Sequence, residues 1–205
     1  MALTNEPENN SPTLAILISG RGSNMLALAN ACLDGRLNAR VGLVLSNRPA
    51  AAGIDSAAKL GLNTTTIDHT TFSSREAFDQ AIHAEMLAVK PQWIVLAGFM
   101  RILTPEFVNL WSGRILNIHP SLLPRHPGLD THRRAIEAGD SEAGASVHVV
   151  TPELDAGPVI SQVKVPILRT DTAESLAKKV LDQEHDLYIK ALQICLKSGN
   201  STEKV

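Results

Sequence analysis

Asn117-Ile118-His119-Pro120 closes an apolar run and sets an amide and an imidazole two positions apart. Residues two apart on a strand project from one face, so these side chains are expected to lie side by side. Pro120 restrains His119 to extended backbone and removes a donor, which ends the strand there. A neutral donor beside a titratable ring suits a reaction in which an oxyanion develops while a proton moves. A satisfied polar pair at a strand end would use the same residues. Downstream, Glu153-Leu154-Asp155-Ala156-Gly157-Pro158 is an acidic turn between two strand-like runs. By residue type Asp155 is an ordinary solvated turn residue. Set against His119, it would instead favour the imidazolium. His148 shares a strand face with Ser146, and either lines the same cleft or sits on a half-buried strand. His126 and His132 have no neighbouring cysteine or carboxylate cluster, and their spacing matches no standard zinc pattern.

A second candidate is the turn Gly20-Arg21-Gly22-Ser23-Asn24, between a strand-like run and a helical one. Free N–H groups at a helix start, with the helix dipole, favour a phosphate. Gly22 permits close approach, while Ser23 and Asn24 can donate hydrogen bonds or cap the helix. A plain tight turn with an N-cap is the alternative. Asn24 stands where a P-loop would carry lysine, and no third glycine completes a dinucleotide fingerprint. One phosphate fits this turn better than a dinucleotide.

The elements that must position these residues follow from the apolar pattern. Thr13 to Ser19 is a continuously apolar run, as expected of a strand buried on both faces of a parallel sheet. Helical character over Asn24 to Asp34, Ala50 to Leu60 and Ser74 to Lys90 alternates with strand-like Val41 to Ser46, Asn63 to Ile67 and Trp93 to Ala97. That alternation predicts right-handed crossovers and a parallel sheet. The second half predicts a strand at Ile115 to Ile118, a Pro-rich loop and a short helix from His132 to Ala138. Ala145 to Val150 and Val159 to Val165 follow as an antiparallel addition. Asp171-Thr-Ala-Glu174 resembles a capping box opening a helix that runs to about Leu196. The fold class is therefore α/β: Rossmann-like, three-layered, with a mostly parallel mixed sheet.

The 205 residues suffice for one large core. A net charge of −2 with no basic cluster argues against a nucleic-acid partner. Cys32 and Cys195 lie far apart without a CxxC spacing, a pattern of reduced thiols. Residues 1–12 lack a basic-then-apolar pattern and are expected to form a disordered tail, not a signal peptide. The longest apolar run, Trp93 to Met100, is too short to span a bilayer. A cytoplasmic protein with one domain over residues 13–205 is expected.

From about Thr13 to Tyr188 the chain resembles the folate-dependent formyltransferases. The motifs are LISGRGSN (Leu17 to Asn24), SREAFD (Ser74 to Asp79), LAGFMRIL (Leu96 to Leu103), NIHPSLLPRHPG (Asn117 to Gly128), SVHVV (Ser146 to Val150), ELDAGPVI (Glu153 to Ile160) and QEH (Gln183 to His185). The Asn-x-His-Pro-Ser-Leu-Leu-Pro segment is specific to the family in general, and the GSN turn points to its glycinamide ribonucleotide branch. The resemblance implies a formyl transfer from 10-formyltetrahydrofolate, as co-substrate and without a metal, to the amine of 5'-phosphoribosylglycinamide. It implies that Gly22, Ser23 and Asn24 hold the phosphate and Glu184 the ribose hydroxyls. Arg75, Met100, Arg101, Ile102, Leu103, Asn117 and the loop around Asp155 would line the folate pocket, and Asn117, His119 and Asp155 would be catalytic. Residues 13–100 would be the phosphate-binding half and 101–205 the folate and catalytic half, in a monomer or weak homodimer. Ala156 replaces an expected glycine, so a left-handed backbone is not expected at that position. The rival readings are a formyl-folate hydrolase, a transferase acting on initiator methionyl-tRNA, and a non-catalytic folate- or nucleotide-binding module. The tRNA enzyme's basic C-terminal domain and the hydrolase's N-terminal regulatory domain are not expected here.

Overall fold

The computed structural model describes residues 11–199, so most of the expected N-terminal tail lies outside the described residues. Thirteen regular elements follow in chain order: β1 (Thr13–Ile18), α1 (Ser23–Leu33), β2 (Arg40–Ser46), α2 (Ala52–Lys59), β3 (Thr64–Thr66), α3 (Arg75–Val89), β4 (Trp93–Leu96), α4 (Pro105–Leu110), β5 (Ile115–His119), α5 (Thr131–Glu137), β6 (Glu142–Val149), β7 (Val159–Pro166) and α6 (Ala173–Gly199). A short 3-10 turn, His69–Thr71, precedes α3. The seven strands form one sheet in the order β3-β2-β1-β4-β5-β6-β7. Neighbours from β3 to β5 run parallel, and β6 and β7 add on antiparallel.

All six residues of β1 are buried, because alternate side chains enter different layers. Leu14, Ile16 and Ile18 pack with Met25 and Leu28 of α1 and Tyr188 and Leu192 of α6. Ala15 and Leu17 pack on the other face with Phe78, Ile82, Phe107 and Trp111. Truncating a fully buried aliphatic residue such as Ile16 to alanine would cost about 2–5 kcal/mol. The Tyr188 hydroxyl, 3.1 Å from the carbonyls of both Leu96 and Leu116, ties α6 to the middle of the sheet. Strand order reverses between β1 and β4, the usual ligand crevice of an open α/β sheet.

Two local expectations are corrected. The box that opens α6 joins Thr172 and Ser175: each backbone N–H donates to the other's hydroxyl, at 3.0 and 3.2 Å. Asp171 lies one residue too early to cap; it accepts from the Leu168 N–H, the Ser175 hydroxyl and the Lys179 ammonium. At α1 the N-cap is Gly22, in left-handed backbone at φ 74, and no side chain caps the helix. Helix α4 had no counterpart in the sequence reading. Its Thr104 cap and Pro105 are ordinary start signals, but six residues are too few to show a helical period.

Candidate active site

Strand pairing explains how the polar cluster assembles. Parallel β4 aligns Leu96 with Asn117, and antiparallel β6 sets His148 opposite Asn117 and Ser146 opposite His119. The Asn117 amide nitrogen lies 3.2 Å from His148 Nε2. His148 Nδ1 is 3.1 Å from the Val149 carbonyl, which can only accept, so Nδ1 carries a ring proton. Of the two readings open for His148, the structure selects the cleft: the ring is 2% exposed and belongs to the cluster.

Asp155 reaches this cluster from the β6–β7 loop. Its Oδ2 is 3.4 Å from His119 Nδ1 and its Oδ1 is 3.6 Å from His148 Nε2. The Gly128 N–H donates to Oδ2 at 2.8 Å. Burial pushes the carboxyl's pKa up, but His148, the Gly128 amide and His119 outweigh it, so the group sits below the usual aspartate value and stays ionised. The left-handed residue of this loop is Asp155 itself, at φ 52; Ala156 is not left-handed. Gly157 is required beyond that, since a Cβ there would overlap the Val149 carbonyl.

His119 is 6% exposed, and its other nitrogen, Nε2, donates to the His126 carbonyl at 3.0 Å. Beneath the Pro-rich segment the buried Ser146 hydroxyl donates to the Ser121 carbonyl and accepts from the Leu123 N–H. Gln162 closes this network by donating to Ser146 and to the Leu123 carbonyl. The loop that follows β5 is therefore fixed by its own backbone groups. His126 is bound to Asp140 at 2.7 Å, and His132 of α5 lines the same small cavity. No group of three His, Cys, Asp or Glu suited to a metal occurs among the described residues.

At the other side of the crevice, the turn after β1 presents the uncapped start of α1, where the first N–H groups have no intrahelical partner. A Cβ on Gly22 would meet Gly53 Cα and Met25 Cε at 3.1 Å, and its φ is left-handed, so only glycine fits. Asn24 does not cap; its amide donates to the Glu184 carboxylate at 2.7 Å. Burial raises the Glu184 carboxyl, with the Asn24 bond and His185 opposing.

The segment after β4 is pinned at both ends. The Met100 N–H donates to Ser19 Oγ at 2.7 Å, and the Thr104 N–H donates to the buried Asp79 carboxylate at 2.6 Å. Met100 and Ile102 are more than half exposed, at 58% and 52%. Arg101 lies over the Phe78 ring at 5.7 Å, and Arg75 is exposed at the first position of α3. Leu103 instead packs in the apolar layer with Phe78 and Phe107, so its side chain faces the core. Sequence reasoning missed Asp79, Ser19, His126 and Asp140 as supports of the site. SREAFD does contain Asp79, but an acidic residue in a helix gives no sign that it will be buried.

No helix among the described residues is long and apolar enough to cross a membrane. The profile described as formyl transferase matches residues 13–192. Over 175 residues the chain is 49% identical to the phosphoribosylglycinamide formyltransferase of Escherichia coli, covering 85% of this chain and 82% of that one. It superposes on the crystal structure of glycinamide ribonucleotide transformylase 1 from Symbiobacterium toebii with a TM-score of 0.90 at 38% identity, over 93% and 90% of the two chains. For the phosphoribosylglycinamide formyltransferase from Brucella melitensis the TM-score is 0.86 at 46% identity, over 91% and 96%. With this fold, this site and these relatives, the chain belongs to the formyl transferase family, in its phosphoribosylglycinamide formyltransferase branch.

Proposed function

We propose that the chain transfers the formyl group of 10-formyltetrahydrofolate to the glycinamide amine of 5'-phosphoribosylglycinamide, releasing tetrahydrofolate and the formylated ribonucleotide. The observation that carries this reading is the Asp155 carboxylate between His119 and His148, with the Asn117 amide beside His148 on β5. The neutral amine attacks the formyl carbon, a C–N bond forms and the formyl oxygen becomes an oxyanion. The second amide proton of Asn117 and the charged His119 ring face that oxygen, each such donor lowering the barrier by about 3–4 kcal/mol. The proton lost by the attacking nitrogen passes to N10 of the folate, through His119 or a water, as the C–N10 bond breaks. Asp155, itself held ionised, supplies the negative charge 3.4 Å from His119 Nδ1. No step requires a metal.

The uncapped start of α1 supports Gly22, Ser23 and Asn24 as the phosphate cradle, with Glu184 on the ribose hydroxyls. Exposed Met100 and Ile102 support an apolar wall for the pterin, with Arg75 and Arg101 nearby for the acidic tail of the folate. On this reading residues 13–100 bind the phosphate and residues 101–205 the folate, with Asn24 and Glu184 joining the halves. The protein works in the cytoplasm as a monomer or weak homodimer, a compartment that suits its free Cys32 and Cys195.

The test is consumption of 10-formyltetrahydrofolate by purified protein with and without the ribonucleotide. Consumption only when the ribonucleotide is present is the expected result. Equal consumption without it, with formate released, would make the protein a hydrolase instead.

A further inference from the structure

We infer that Asp140 is a positioning residue for His119, acting through the backbone of His126, and the inference rests on the catalytic role proposed for His119. The contact that orients the His119 ring is the Nε2–H to the His126 carbonyl at 3.0 Å. On the other side, Nδ1 and Asp155 form an ion pair at 3.4 Å, longer than a well-formed hydrogen bond. Nε2 is thus committed to the protein, while Nδ1, at the longer contact to Asp155, is the nitrogen able to share its N–H with a reacting oxygen. Both ring neighbours are acceptors, so only the doubly protonated ring satisfies both.

The carbonyl is aimed by an uncommon backbone. His126 has φ 54, a left-handed conformation that few residues other than glycine adopt. Such a residue persists only where its surroundings over-determine it. Here the His126 ring donates to Asp140 Oδ2 at 2.7 Å, Arg125 approaches the same oxygen at 3.3 Å, and Ser121 Oγ donates to the Arg125 carbonyl at 2.7 Å. The His126 bond, foremost, and Arg125 hold the Asp140 carboxyl below its ordinary value against burial, so it remains an anion. The other ionisable groups around this corner are Asp155 and His148, His132 on α5, and Glu142, which is paired with Lys164. None of them holds the His126 ring.

His126→Ala and Asp140→Ala each remove the anchor and leave the carbonyl in place but free to turn. A misplacement of this kind is expected to lower kcat about 10- to 100-fold with KM unchanged. His126→Gln, whose amide nitrogen reaches about as far as Nε2 and keeps a donor for Asp140, should restore most of kcat. The ¹⁵N shifts of the His119 ring, read without substrates across pH, should change in His126→Ala and Asp140→Ala and return in His126→Gln. Unchanged shifts and unchanged kcat in folded His126→Ala and Asp140→Ala would overturn the inference, as would failure of His126→Gln to rescue. Absence of formyl transfer in the wild type would remove the functional reading, while the ring shifts would still decide whether Asp140 orients His119.

Discussion

Asn24, in the first turn of α1, donates its side-chain amide to the carboxylate of Glu184, midway along α6, at 2.7 Å across 160 positions of chain. Both side chains are buried, and Asn24 Oδ1 has no partner. A carboxylate and an orphaned amide oxygen are costly to hide from water unless a ligand completes their bonds. The proposed ribose hydroxyls, which both donate and accept, would do so.

Glu184→Gln is therefore expected to stabilise the free protein while weakening it as a binder. The folded carboxyl is raised by burial, so its favourable contribution is present below the ordinary value of 4.5 and is lost as pH rises through the folded value. At pH 7 the native protein carries that loss and the Gln variant does not. Thermal melts should show a higher Tm for the variant at pH 7 and convergence near pH 4. KM for the ribonucleotide should rise about 10-fold, one hydrogen bond to a charged group.

Asp155→Asn keeps the shape of the loop and removes the charge between His119 and His148. With the negative charge beside the His119 ring gone, kcat at pH 7 should fall at least about 10-fold. The native carboxyl is depressed, so its stabilising contribution holds above the ordinary value of 3.8 and is lost as pH falls through the folded value. Tm curves for the two proteins should accordingly approach each other below pH 4. A kcat that does not fall would remove Asp155 from the electrostatics of the site.

Asn117→Ala should lower kcat about 100- to 1,000-fold with little change in Tm, the loss expected of one oxyanion donor. His148→Phe should reproduce part of that fall, because the Asn117 amide loses the ring nitrogen that orients it at 3.2 Å. Steady-state kinetics on the double variant test the coupling. If the two effects simply multiply, His148 does not act through Asn117.

Away from the site, Asp171 is held at about 2 by Lys179, the Leu168 N–H and Ser175. A depressed carboxyl stabilises above its unfolded value and loses that contribution as pH falls towards the folded one. Asp171→Ala should thus lower Tm at pH 7, and the difference should shrink between about pH 4 and pH 2. A constant difference across that range would show that Asp171 matters through the α6 start rather than through its charge.

The sequence by itself determined the elements, the short α4 apart, and the side-by-side placement of Asn117 and His119. The unbroken apolar run of β1 requires cover on both faces, and layers on both faces supply it. Two-residue spacing sets Asn117 and His119 on one face of β5 whatever else happens, since strand geometry is local. Gly22 before a helix announced an anion-friendly turn for the same reason. Only the tertiary structure decided what meets these groups. Asp155 and His126 take left-handed backbone, which their residue types permit but no local pattern requires, and His119 is oriented by a carbonyl, which every residue possesses. Asn24 could have capped α1 but finds Glu184 instead, and Leu103 turns from the expected folate wall into the core. Periodicity records the face on which a side chain lies, whereas its partner is fixed by how distant segments pack, and no local pattern encodes that.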